Sequence, residues 1–530
     1  MLISSSVFHG FPYSGQYGNT TWPVFTTFNY QYSSMHGPHE PAWADYADQM
    51  DFVARNNWVM QSGVPRMDIA IWQKVTTYPG HIQMRTYQPS DLEDMGYTYE
   101  YLSPNNFDLP SAKVTDGVLA PDAQAFKAMV VRANDSLTIE GVAKLVGFAH
   151  SGLPIIFAGG VPSTYVDTYN PMELRKSQQS LRDAAMLPNV HVTDDYEVAS
   201  TIASLGIHPR TSITSMLPSN ATWLTNWRYD KDNEVDYIFV YNDAMYIPLG
   251  QGSSEATIEF SSTGVPFEYD SWTGEQKRVL AYNSTVSSTI IPLKLAGNQS
   301  TVIAFHHAAP TSNTTHLSQT QDDVVGYAYE NGSLVLKVIS GVAAPATYST
   351  SDATSGTVLG NWTLIVEHWD PPADLYNITG GAYKYNTTHH LPELVSWQGV
   401  SGLQNVSGRG YYNTTFLWPA ASNDTPDGAI LDFGWVYHTL KVSLNGHQLP
   451  PLDVTSAKVD IKEWLVAGEN TLEAVVATPL GNVLIPIWYD LLTSGEGPGS
   501  PDASTVPPPI GQYGLQSEVT LTPYHEVEVA

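Results

Sequence analysis

No cysteine occurs among the 530 residues, which excludes disulfides, thiolate metal sites and cysteine nucleophiles. Positive charge is scarce: 23 Lys and Arg stand against 52 Asp and Glu, a formal charge of −29 at pH 7. So acidic a chain does not suit nucleic acid or an anionic membrane surface as a partner. No apolar run approaches the roughly 20 residues of a membrane-spanning helix. The first residues carry neither the basic lead-in nor the apolar stretch of a secretory signal.

What is abundant points elsewhere. Apolar residues make up 42% and charged ones only 14%, with 40 Gly, 36 Pro and 31 Tyr. That composition suits β-rich extracellular proteins that handle carbohydrate. Thirteen Asn-x-Ser/Thr sequons stand at Asn19, Asn134, Asn220, Asn283, Asn298, Asn313, Asn331, Asn361, Asn377, Asn386, Asn405, Asn413 and Asn423. So many favour a eukaryotic secreted glycoprotein. A secreted protein without a leader is a contradiction, and the expectation is that the natural N-terminus lies upstream.

Along the chain, residues 4–9 read as one buried strand, followed by a loop of Gly, Tyr and Trp. "PAWADYADQMDFVARNNWVMQSGVP" then reads as an amphipathic helix over 42–62, with Pro41 at its first turn and Gly63 and Pro65 as its stop. Residues 1–62 are thus a single β/α unit. Strands "RMDIAIW" (66–72), "AFKAMVVRA" (125–133), "PIIFAGG" (154–160) and "NVHVT" (189–193) alternate with helices 139–151, 171–184 and 195–205. The last helix has Asp194 or Asp195 as its expected cap. This alternation predicts a Rossmann- or flavodoxin-like α/β domain over 64–208. Short strands separated by turn residues predict a β-sandwich over 209–310. Residues 311–355 read as linker with a hairpin, "YAYENGSLVLKV". A final β-domain spans 356–527, with a hairpin turn at Asn445-Gly446.

The chemistry of the α/β domain is negative. It has no Gly-x-Ser-x-Gly, no cysteine nucleophile, no dinucleotide fingerprint and no P-loop. His36, His39 and Glu40 stand together in "HGPHEP", but two prolines interrupt the stretch and zinc pairs are usually spaced on a helix. His306-His307 and His389-His390 read as solvated. The aromatic loop 9–32 would suit a sugar, with rings for C–H faces and polar side chains for hydroxyls. Glycoside hydrolysis needs two carboxylates, yet Asp45, Asp48 and Asp51 read as a solvated helix face, and no acid/base pair emerges. Trp418, Trp435 and Trp464 are candidates for sugar stacking on the last domain, though their patterns also fit a core.

The order of parts resembles a known family. "VFHGFPYSG", then "WADYADQMDFVARNNWVMQSGVPRMDIAIW", then "AMVV" and "GLPIIFAGG" resemble the C-terminal half of family 106 glycoside hydrolases, the α-L-rhamnosidase-like proteins, above all their secreted fungal members. "LDFGWVYHTLKVSLNGHQL…VAGENTLEAVV" resembles the galactose-binding-like jelly roll appended to many glycosidases. The resemblance implies a remnant of a (β/α)8 barrel at 1–62, its catalytic carboxylates on earlier strands and no catalytic residue in this chain. It implies His9 and Tyr13 as substrate contacts, calcium in the complete enzyme and rhamnose-containing glycans as partners. This chain would then be truncated and inactive alone. A stand-alone carbohydrate-binding or scaffold protein, or a fragment of another barrel glycosidase such as a β-galactosidase, are the alternatives.

Overall fold

The computed structural model describes residues 40–529, except 75, 79–80, 84–86, 88, 167–169, 216–220, 245–246, 249, 308–315, 320–322, 331–332, 340–355, 375–380, 421–424 and 488–508. The expected strand 4–9 and the loop 9–32 lie outside the described residues. Two compact units are present. One comprises Trp58–Asp270 and Gln276–Gln319; the other comprises Ser271–Glu275, Thr320 onward and the described residues up to Asn57.

The first unit holds a five-stranded sheet made of Ile69–Trp72 (β1), Tyr99–Leu102 (β2), Ala128–Arg132 (β3), Ile155–Ala158 (β4) and Val190–Thr193 (β5). The strands run in the order β5-β4-β3-β1-β2 and every pairing is parallel. Counted along the chain, this is the 2-1-3-4-5 order of flavodoxin-like sheets. β1, β3 and β4 are buried along their whole length, as a parallel sheet covered on both faces requires. On one face Ile139–His150 (α1) and Pro171–Ala184 (α2) pack through Val142, Leu145 and Leu181 onto Trp72, Met129 and Phe157. On the other, Val198–Ser204 (α3) packs through Val198 and Ile202 onto Ile71, Val130 and Ile156.

Local chemistry explains where these helices start. The hydroxyl of Thr138 caps α1 by accepting from the Gly141 N–H. A Cβ on Gly141 would fall 2.6 Å from the Trp72 ring, so glycine lets the first turn lie against the sheet. Asn170 caps α2, with Pro171 at the first position. α3 differs from expectation. It begins at Val198 and neither Asp194 nor Asp195 caps it; the carboxylate of Asp91 instead accepts the Ala199 N–H at 2.8 Å.

A β-sandwich completes this unit. Its larger sheet pairs Thr222–Asp230, Val235–Asp243, Ser300–His306 and Val265–Tyr269, with Val64–Arg66 at one edge, and its smaller sheet centres on Ser254–Phe260 and Thr289–Leu295. Trp223, Trp227, Ile238, Ile258, Phe260 and Phe305 fill the space between them. Asp68, fully buried, ties the sandwich to the α/β sheet. Its carboxylate accepts from Arg210 at 2.8 Å and from the Thr98 hydroxyl at 3.0 Å, and pairs with Lys127 at 3.0 Å.

The second unit contains a second sandwich. One sheet is ordered Val324–Glu330, Ser333–Val338, Thr520–Val529, Gly428–Asp432, Lys458–Asp460. The other uses Trp362–Asp370 (β6), Tyr383–Leu391 (β7), Gly408–Trp418 (β8), Lys441–Leu444 (β9) and Gly468–Ala477 (β10) in the order β7-β6-β8-β10-β9, ending on His447–Gln448. Leu364, Tyr412, Leu472 and Ala474 from this sheet meet Ala429, Leu431 and Leu521 from the first. The hairpin expected within 311–355 forms, with its turn residues 331–332 outside the described ones. Its second strand pairs with Thr520–Val529, so that segment is built into the sheet rather than linking domains.

Candidate functional site

In flavodoxin-like sheets ligands bind at the C-terminal strand ends, where the strand order reverses. Here that point lies between β1 and β3, and the chain's own side chains fill it. Arg132, at the end of β3, forms a buried ion pair with Asp135 at 2.8 Å and donates to the Gln73 side-chain amide oxygen at 2.9 Å. The Trp72 indole donates to the Ser136 carbonyl at 2.9 Å.

The acidic residues of the helix read from sequence as solvated are placed differently. The segment is a short 3-10 turn, Pro41–Asp45, followed by the helix Tyr46–Gln61. Asp45 is buried and pairs with Arg409 at 3.1 Å, and Lys441 lies 3.7 Å from Asp45 and 3.8 Å from Asp48. Only Asp51 is solvated as expected, beside Arg55 at 3.8 Å. Sequence spacing could not show this, because the two cations come from β8 and β9.

Glu40 is also buried. Its carboxylate accepts the Leu480 N–H at 3.0 Å, and burial pushes its pKa up to about 8, against that hydrogen bond. Among the described residues no group of three or more His, Asp or Glu side chains is placed to hold a metal ion. His36 and His39, like His9 and Tyr13, lie outside the described residues. The histidine pairs are not merely solvated. His306 shares a 2.8 Å hydrogen bond with the Tyr269 hydroxyl, and His307 lies 2.8 Å from the Asp236 carboxylate. His389 bonds the Thr387 hydroxyl at 2.9 Å from within β7. Strand pairing brings these partners together across the sheet, or from the same strand face two residues away.

A groove on the outer face of the second sandwich is a candidate site. It encloses about 610 Å³ over β6, β8, β9 and β10. Alternation sets its lining. In β8, Tyr412, Thr414 and Phe416 point into the core, so Tyr411 and Asn413 point out. Ile365 stands opposite Tyr411 on β6, and Val475 stands opposite it on β10. Ile365 is 38% and Tyr411 37% exposed, an apolar centre on a solvent-facing sheet. One register step away lies a polar row. Asn413 faces Glu473, Glu473 faces Ser443, and Ser443 faces Gln448.

The last of these depends on the Asn445-Gly446 turn read from the sequence. Both residues have positive φ, 53° and 79°, the two-residue turn that matches strand twist. The Asn445 amide is fixed by donating to the Trp464 carbonyl at 2.9 Å. At the opposite end of the face, Arg409 and Lys441 hold the Pro41–Asp45 turn by the ion pairs above. Trp418 and Trp464, the aromatic candidates from sequence, pack against the core instead, and Trp435 is half-buried.

Of the sequon asparagines, Asn134, Asn283, Asn361, Asn386 and Asn405 are exposed, while Asn298 and Asn413 are half-buried. Asn19, Asn220, Asn313, Asn331, Asn377 and Asn423 lie outside the described residues.

No protein-family model matches the chain, and no curated protein matches it in sequence. Among solved structures, the rhamnosidase from Novosphingobium sp. PP1Y matches 91% of this chain with 18% identity and a TM-score of 0.58. The chain shares the fold of that protein's matching part. It spans 41% of the rhamnosidase's length. The apo exo-carrageenase from Bacteroides ovatus covers 49% of this chain and 31% of its own, at 11% identity and a TM-score of 0.26. The β-galactosidase from Bacillus circulans sp. alkalophilus covers 50% and 45%, at 10% identity and 0.29. These two are too distant in shape to bear on this chain.

Proposed function

We propose that the described residues are the accessory part of a secreted, fungal-type glycoside hydrolase of family 106, an α-L-rhamnosidase releasing terminal α-L-rhamnosyl residues from plant polysaccharides or glycosides. What supports this is the fold similarity to a rhamnosidase over 91% of the chain. The filled strand ends of the α/β sheet agree with a structural role for that domain.

In this reading the catalytic carboxylates stand on earlier strands of a (β/α)8 barrel whose last β/α unit is residues 1–62. His9 and Tyr13 then touch the sugar. Calcium is part of this reading for the complete enzyme. The C-terminal sandwich is assigned to the galactose-binding-like jelly rolls.

Native protein purified from its source and the 530-residue chain are to be compared on aryl α-L-rhamnosides and aryl β-galactosides. The native species is expected to release the rhamnoside's aglycone and the isolated chain is expected to release none. Turnover of the β-galactoside alone by the native species would sink the rhamnosidase assignment and favour another barrel glycosidase. A native species inactive on the whole panel but retained on a polysaccharide column would favour a binding protein.

A further inference from the structure

We infer that the groove on the outer face of the second sandwich is the bed of an oligosaccharide carried by the chain itself, linked to Asn413. The inference rests on the secretory route proposed above. It stands on three observations about the groove.

First, the sequon Asn413-Thr414-Thr415 lies in the groove wall, on the central strand β8. Asn413 is half-buried, and among the described residues its amide has no hydrogen-bond partner. Asn298 makes the contrast. It is equally half-buried, but its carbonyl oxygen accepts from the Tyr241 hydroxyl and the Ala244 N–H, both at 3.0 Å, and its backbone sits at φ 65°. The Asn413 side chain is free to carry a substituent and the Asn298 side chain is already used in holding a turn.

Second, the groove exposes Ile365 and Tyr411 to solvent in the middle of a sheet. Apolar area left in water is unfavourable relative to covering it. Pyranose rings present C–H faces that would cover this centre. Hydroxyl and acetamido groups would meet the polar row of Glu473, Ser443 and Gln448, which runs across the strands from Asn413.

Third, the size and the tether agree. The space of about 610 Å³ falls within the roughly 300–1,000 Å³ of small-ligand pockets. A glycan anchored at Asn413 reaches the apolar centre as an intramolecular ligand. It therefore needs none of the affinity that a free sugar would require to hold a shallow face.

The modification itself belongs to the cell's transferase acting on the unfolded chain. The Asn413 amide nitrogen bonds to the anomeric carbon of a lipid-diphosphate oligosaccharide, the lipid diphosphate leaves, and the nitrogen loses one proton.

The test combines glycopeptide mapping with hydroxyl-radical footprinting of the purified secreted protein. Asn413→Gln and Thr415→Ala both remove the sequon; the second keeps Asn413 and changes only an exposed residue. Enzymatic trimming of the folded wild type gives a readout that needs no variant. We expect Asn413 to be occupied and Tyr411 to be protected several-fold in the glycosylated protein. That protection should vanish in both variants and after trimming, with Tyr196, 79% exposed in the other unit, unchanged as reference.

Equal labelling of Tyr411 with and without the glycan would overturn the inference. So would an empty Asn413 beside occupied Asn361, Asn386 and Asn405, an outcome that would leave the groove to a free polysaccharide. An absence of glycan at every sequon would overturn the secretory reading as well, and is thereby told apart.

Discussion

Replacing Asp68 with alanine is expected to cost the first unit about 3–5 kcal/mol of stability. The carboxylate is fully buried and has Arg210 and Lys127 as charged partners, at 2.8 and 3.0 Å. Removing it leaves both cations in a poorly solvated place without their counterion. Lys127 already feels that environment: burial and the neighbouring Arg210 pull its pKa down, against the attraction of Asp68. The loss should appear as a lower urea midpoint at unchanged slope. Glu255→Ala is the control. It breaks the Lys294–Glu255 pair, whose side chains are 71% and 70% exposed, and the change should stay within about 1 kcal/mol. Equal effects of the two substitutions would refute the role given to Asp68.

Glu40→Gln should stabilise the second unit, and by an amount that grows with pH. Burial raises the Glu40 pKa from 4.5 to about 8 in the folded chain. The folded state therefore binds a proton that the unfolded state has released, and wild-type stability from this group falls as pH rises from 4.5 to 8. Each unit of separation is worth about 1.4 kcal/mol, so the variant's advantage at pH 8 is on the order of 4 kcal/mol and vanishes near pH 4. Glutamine keeps an oxygen to accept the Leu480 N–H.

His438 acts in the opposite sense. Burial lowers its pKa from 6.5 to about 3, so its contribution is complete above pH 6.5 and is lost as pH falls toward 3. Wild-type stability of this unit should thus peak in mildly acidic solution, and Glu40→Gln should lift only the alkaline side. Thermal melts from pH 4 to 8 check this. Parallel pH profiles for the two proteins would rule it out.

Legibility followed locality. The helix Pro171–Ala184 was readable because its cap, its proline and its apolar stripe are all adjacent in sequence. The buried runs of β1, β3 and β4 were readable for the same reason. β2 was not. It is a four-residue edge strand, half-buried throughout, and "YEYL" carries no continuous apolar run. The cap of α3 was unreadable because Asp91 lies 108 residues away from Ala199. The groove was half legible: the alternation in "GRGYYNTTFLW" announces a strand, but not which of its faces meets the second sheet. Trp418 and Trp464, the more conspicuous residues, pack on the core, while Tyr411 and Asn413 form the outward face.

The strand Thr520–Val529 has a consequence for how the protein is made. It lies inside its sheet, flanked by Ser333–Val338 and by Gly428–Asp432, with Leu334 opposite Val529 and Asp432 opposite Thr520. On the ribosome, Ser333–Val338 has its hairpin partner at once but must wait for nearly 200 further residues before its second neighbour exists. Residues 58–319 have every strand of their own sheets long before then and can fold as they emerge. Through that interval the second unit is an unfinished sandwich with an open inner face. Its first sheet is completed from the C-terminal side.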